Sequence, residues 1–98
     1  MTTFVLLSKI SLRNAGEIKS MGEMDREFER KLAHQCPEVK RIASYALLGA
    51  YDFLHIFEAP DAQAAARVAL LAQSFGAGKT ETLTALRFDE FRAIADEM

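Results

Sequence analysis

The chain has a single cysteine, Cys36, among its 98 residues, so no internal disulfide can form. A lone thiol fits a reducing compartment. No apolar run approaches ~18 residues, so no membrane-spanning helix is expected. The opening Met1-Thr2-Thr3-Phe4 carries no basic segment leading into a long apolar one, so a signal peptide is not expected either. Charge is nearly balanced, with 12 Lys and Arg against 14 Asp and Glu for a net −2. Lys40-Arg41 is too short a basic run to act as more than a solvated strand end, and nothing in this balance points to nucleic acid. His34 and Cys36 lie two apart near a helix end, whereas a metal site needs three or four converging ligands, so no metal is expected. Gly76-Ala77-Gly78-Lys79-Thr80 imitates the end of a phosphate-binding loop. The first glycine of that motif would fall at position 73, which is Gln73, and the segment follows a helix and opens a strand, the reverse of the required context. Gly76 and Gly78 read instead as a helix C-cap and a turn. No cofactor loop or recognisable nucleophile–base pair remains, and no cofactor is expected. The reading is a soluble, cytoplasmic protein.

Apolar residues make up 50% and charged residues 27% of the chain, an ordinary globular composition. Residues 1–98 make one domain with one modest core. Phe4 to Ile10 is short, apolar and β-rich, and reads as a buried strand. Asn14 with Glu17 three residues on resembles a capping box, and Ile18, Met21, Met24, Phe28 and Leu32 then recur at helical spacing. Gly22 weakens this helix by about 1 kcal/mol relative to Ala, and Pro37 ends it. Val39 to Leu48 and Asp52 to Ala59 read as the second and third strands. Pro60 and Asp61 suit the first turn of an alanine-rich helix over Ala62 to Phe75, one able to lie close against a sheet. Thr80 to Phe88 is the fourth strand, and Asp89 caps a short last helix with Phe91, Ile94, Ala95 and Met98 on one side.

The order β-α-β-β-α-β plus a terminal helix predicts an α+β, ferredoxin-like fold, a four-stranded antiparallel sheet with both helices on one face. Both residue sets of each strand are apolar, so the second face would leave a large exposed patch on a monomer. A second copy packed face to face removes it, and a homodimer or higher homo-oligomer is expected. A two-residue Gly49-Ala50 turn would pair residues whose numbers sum to 99, setting Ser44 opposite His55, Tyr45 opposite Leu54, Ile42 opposite Phe57 and Arg41 opposite Glu58. That register puts Tyr51, His55 and Ser44 on one face and Asp52 and Glu58 on the other.

Gly49-x-Tyr51-Asp52, Glu58-Ala59-Pro60-Asp61, Thr80-Glu81-Thr82-Leu83-x-Ala85 followed by Asp89-Glu90-Phe91, and Gly16-x-Ile18-Lys19 occur together, and in this combination the chain resembles the bacterial GYD domain family. The resemblance covers nearly the whole chain and implies the dimeric α+β barrel architecture. It implies no settled activity and transfers no catalytic residue. The chain departs from the family pattern at Cys36-Pro37-Glu38, where glycines are frequent, and at His55, where an aliphatic residue is usual.

Two functions from different classes fit the residues. In the first, a small metabolite occupies a cavity between the paired sheets, bound only or transformed there by cofactor-free chemistry. His55 would be the proton acceptor, Ser44 and Tyr51 would orient the ligand, and Phe53 would exclude water. This requires His55 to face away from the helices. Each residue also has a purely structural reading. His55 could be a core histidine satisfied by Ser44, Asp52 could bond turn amides under a packed Tyr51, and Glu58 with Arg41 could be a cross-strand ion pair. In the second, the chain is a non-catalytic regulatory or protein-interaction module, with the sheet face filled by its twin and the outer helical surface recognising another protein.

Overall fold

The computed structural model describes residues 1–10 and 15–98. Its elements are β1 (Thr2–Ile10), α1 (Ala15–Lys19), α2 (Met21–Gln35), β2 (Lys40–Ala46), β3 (Phe53–Ala59), α3 (Ala62–Ser74), β4 (Ala77–Ala85) and α4 (Phe88–Glu97). The four strands form one sheet in the order β2-β3-β1-β4 with every neighbouring pair antiparallel. This is the expected α+β, ferredoxin-like arrangement.

Strand alternation divides the sheet's side chains into two sets. Phe4, Leu6 and Ser8 of β1 stand beside Phe57, His55 and Phe53 of β3, and this face is covered. Its core joins Phe4, Leu6, Phe57 and Ala59 to Phe28 and Leu32 of α2 and to Ala64, Ala65, Val68, Leu71 and Ala72 of α3. The Phe4 and Phe57 rings stack at 5.7 Å, and Phe75 meets Phe28 edge-on at 5.7 Å. Leu6 and Phe57 are fully covered, each contributing about 1.5–3 kcal/mol by burial. Alanines let α3 lie directly on β1, β3 and β4, whereas α2 stands off the sheet on the Phe28 side chain. That difference opens a cleft under α2.

Local signals account for most element ends. The Asp61 carboxylate accepts from the Ala64 backbone N–H at 2.9 Å, an N-cap worth about 1 kcal/mol. Pro37 follows the last residues of α2 as expected, and Cys36 closes it by donating its backbone N–H to Leu32 at 2.8 Å. Gly76, at φ +98°, takes the left-handed conformation that stops α3.

Other boundaries differ from the sequence expectation. The first helix is two, interrupted at Ser20, whose hydroxyl bonds the Glu17 carbonyl at 3.0 Å and competes with the helical ladder. The Asn14 cap lies outside the described residues. Gly78 is not a turn. Lys79 pairs with Lys9 and Ala77 with Ile10, leaving Gly78 as the extra residue of a bulge inside β4, which therefore starts and ends three residues early. Asp89 does not cap α4. The cap residue is Arg87, in extended backbone, and the Asp89 carboxylate accepts from the neighbouring Glu90 N–H.

The 47–52 connection is longer than the expected Gly49-Ala50 turn. No described residue but Gly76 has positive φ, so the mirror-image turn of a two-residue hairpin is absent. The sum-99 register still holds from Ala43 to Ala46, and the Leu47 N–H reaches the Asp52 carbonyl at 2.8 Å. It fails beyond Ala43, where Ile42 bulges out and Arg41 comes opposite Phe57, with Lys40 opposite Glu58.

Candidate functional site

The Ile42 bulge decides what lies under α2. An extra residue reverses the alternation of everything before it. Arg41, expected beside Glu58 on the far face, is turned onto the helix face. Its guanidinium lies 5.6 Å from the Phe28 ring centre, donates to Asp25 of α2 at 2.8 Å and, through Nε, to the Ser44 hydroxyl at 3.0 Å. It also approaches His55 Nδ1 at 3.3 Å, and Ser44 Oγ lies 2.8 Å from the same nitrogen. The expected Arg41–Glu58 pair does not form. Arg41 pairs with Asp25 instead, because the bulge carries it across the sheet.

An arginine has donors only, so His55 Nδ1 is an acceptor here and the ring proton sits on Nε2. Burial pushes the His55 pKa below its ordinary 6.5, the Arg41 charge lowers it further, and Asp25 opposes both. The imidazole is held neutral, with its lone pair spent on Arg41 and Ser44. A general base must offer that lone pair to a substrate, and the other ring nitrogen, Nε2, carries a proton instead.

This cluster is the polar end of a cleft of about 340 Å³ between α2 and the sheet, with walls that include Met21, Met24, Phe28 and Phe53. The structure thus brings Ser44, Phe53 and His55 together, but on the helix face. They cannot line a cavity between two sheets, and the expectation that His55 faces away from the helices is not met. The cause is the pairing of His55 with Leu6, which points into the core. Sequence reasoning missed Asp25 and misplaced Arg41. An Arg–x–x–Ser spacing on a strand carries no bulge signal that would have found them.

Tyr51 is not part of this cleft. It lies outside the ladder, so alternation does not govern it, and its hydroxyl donates to Glu81 of β4 at 2.6 Å. That bond, the largest cause, raises the Tyr51 pKa. Lys79 Nζ sits 5.5 Å from the Tyr51 ring centre. Asp52 binds its neighbour strand twice. Its carboxylate accepts from the Ile10 N–H at 2.8 Å and its own N–H donates to the Ser8 carbonyl at 2.9 Å. Tyr51 and Asp52 therefore tie the β2–β3 connection to the end of β1 and to β4.

The middle of the sheet's second face carries two rows of side chains, flanked by Thr3, Lys40, Glu58 and Ala85 at one end and by Lys9 and Lys79 at the other. Ala43, Ile56, Val5 and Leu83 form one, and Tyr45, Leu54, Leu7 and Glu81 the next. Among the described residues, no element packs on this face. The described residues also contain no cluster of metal-ligating side chains and no helix long and apolar enough to cross a membrane.

Comparison with known proteins agrees with this architecture. A family model described as the GYD domain matches residues 4–95. A Thermus thermophilus protein named "Glutamine synthetase and cystathionine beta-lyase binding protein" is 38% identical over 93 residues, covering 88% of this chain and 90% of that protein. The crystal structure of TTHA0845 from Thermus thermophilus superposes with a TM-score of 0.58 at 21% identity, over 89% of this chain and 95% of that one. A hypothetical protein from Pyrococcus horikoshii gives 0.54 at 22% identity, over 88% and 90%. These two structural likenesses concern the fold.

Two outcomes test the site. Asp52→Ala leaves the part-buried Ile10 N–H without its acceptor and should lower the unfolding free energy by about 1–3 kcal/mol in urea titration. Asp52→Asn, which keeps an acceptor, should lose less, and equal losses would remove the clamp. For His55, the folded pKa lies below the unfolded one, so the unfolded chain takes up the proton first. Stability is therefore fullest above pH ~6.5 and falls as pH drops through the folded-state value. Between about pH 7 and pH 5 the wild-type urea midpoint should fall more than that of His55→Gln, and parallel midpoints would contradict a neutral buried imidazole.

Proposed function

Because the chain belongs to the GYD domain family, which brings no catalytic residue with it, we propose that it is a non-catalytic interaction module whose partner is an enzyme of amino-acid metabolism. The observation that carries this reading is the relative named for binding glutamine synthetase and cystathionine beta-lyase, which is similar to this chain along nearly its whole length. The site chemistry supports it, because the one histidine placed for proton transfer has its lone pair engaged by Arg41 and Ser44.

The division of surfaces follows from the packing. The uncovered rows of Val5, Leu7, Tyr45, Leu54, Ile56 and Leu83 suit a second copy of the same sheet, giving a homo-oligomeric α+β barrel. The outer helical surface is left for the enzyme. There Arg26 and Arg30 of α2 stand among Glu23, Glu27 and Glu29, and Leu70 of α3 is 63% exposed. Work beside such enzymes would be cytoplasmic, in keeping with the buried free thiol of Cys36.

The test is sedimentation velocity of the purified chain mixed with glutamine synthetase or cystathionine beta-lyase from its own host. Co-sedimentation at about 50 µM with one of them is expected. Arg26→Glu combined with Arg30→Glu should weaken it without changing the chain's own oligomeric state. Independent sedimentation with both enzymes would overturn the reading.

A second reading rests on the cleft under α2, whose apolar walls and polar Arg41–Ser44–His55 end suit a small amphipathic metabolite. A thermal-shift panel of metabolites should then give a stabilising ligand whose effect disappears in His55→Ala. A panel without any stabilising compound would remove this reading.

A further inference from the structure

Among the described residues, the backbone of helix α4 lies close to no other element, and all of its residues are exposed. Yet it is amphipathic. Phe88, Phe91 and Ile94 follow at three-residue spacing and continue into Ala95 and Met98, and the Phe88 and Phe91 rings contact each other at 6.1 Å. Phe88 is 73% exposed and Ile94 52%. A ten-residue helix is marginal alone in water, and most helical stability comes from packing such a stripe. The described residues leave this stripe exposed.

The opposite end of the sheet has the complementary deficit. Leu48, at the tip of the β2–β3 connection, is completely exposed. Beside it Lys9 and Lys79 face each other directly across β1 and β4, a like-charge pairing that disfavours the sheet. Helix α4 carries Asp89, Glu90, Asp96 and Glu97 against Arg92 alone, an acidic rim around an apolar stripe. The acceptor end is also held firm, because Lys79 lies over the Tyr51 ring and Tyr51 and Asp52 are tied to Glu81 and Ile10.

We infer that α4 is an arm that docks on the hairpin end of a second copy of this chain, its Phe88–Phe91–Ile94 stripe covering Leu48 and its acidic rim neutralising Lys9 and Lys79. The inference rests on the sheet-to-sheet pairing proposed above for the direction of approach. A twofold axis lying across the strands sets the C-terminal end of β4 in one copy, where α4 begins, over the hairpin end of the other. A phenylalanine offers about 150–250 Å² when fully covered; with Phe88 73% and Phe91 55% exposed, two reciprocal arms supply about a third of a standard ~1,600 Å² interface. Each arm finds one acceptor, so the assembly closes as a dimer.

A charge swap tests this without relying on deletions. One variant carries Lys9→Glu and Lys79→Glu, the other Asp96→Lys and Glu97→Lys. Each alone opposes like charges at both arm contacts, whereas a mixed pair restores attraction at both. Sedimentation equilibrium at low salt should show each variant dimerising at least about tenfold more weakly than wild type. A one-to-one mixture should recover the wild-type dimer. Phe91→Asp should weaken dimerisation by a similar factor with an unchanged far-ultraviolet spectrum of the sheet. Variants that dimerise like the wild type overturn the arm while leaving the sheet pairing intact. A wild type that stays monomeric at micromolar concentration overturns both. Undisturbed dimers that lose only their enzyme partner also overturn it, by assigning α4 to that partner.

Discussion

Among the described residues, helices cover only one side of the sheet. Two packed helices follow β1 and β3, and the right-handed connections of a split βαβ unit deliver both to the same face. That face takes all three strand phenylalanines, Phe4, Phe53 and Phe57. The other keeps Val5, Leu7, Tyr45, Leu54, Ile56 and Leu83 with, among the described residues, no helix above them and only Tyr51 reaching across to Glu81 at one end. The closed core, the open rows and the unattached last helix all follow from that imbalance.

Within the covered side, unequal helix packing creates the cleft under α2. Alanine-rich α3 settles on the strands, and α2 is propped away by Phe28. The gap is filled at one end by a charged network in place of apolar atoms. Arg41 is mostly buried and paired with Asp25, with its remaining contacts to Ser44, His55 and the face of Phe28. A buried arginine is tolerated only when so surrounded. The same network fixes the His55 tautomer, so a residue that looks like a catalytic base in the strand pattern is a structural acceptor in the fold.

The motif that marks the family has a mechanical role in this chain. Gly49-Ala50-Tyr51-Asp52 connects two strands, but its side chains act on the other two. Asp52 takes the Ile10 amide just where β1 meets the β4 bulge, and Tyr51 crosses to Glu81. Those bonds brace the end of the sheet that carries Leu48, Lys9 and Lys79 beyond what its ladder supplies. A motif of this kind signals architecture more than chemistry.

The sequence by itself determined the element order apart from the break at Ser20, the pairing of Ser44 with His55, the start of α3 at Ala62, the Gly76 stop and the family. Each is set by local periodicity or by one residue's backbone preference, which neighbours along the chain suffice to express. Only the tertiary structure decided which sheet face the helices cover, where the bulges fall and where their side chains go. Ile42 leaves the ladder and Gly78 is inserted into β4 because distant partners, Asp25 on α2 and Ala77 against Ile10, reward the shift. An extra residue inverts every face before it, so a strand pattern that is right from Ala43 onward is wrong at Arg41. No local signal records which side of that inversion Asp25 will favour.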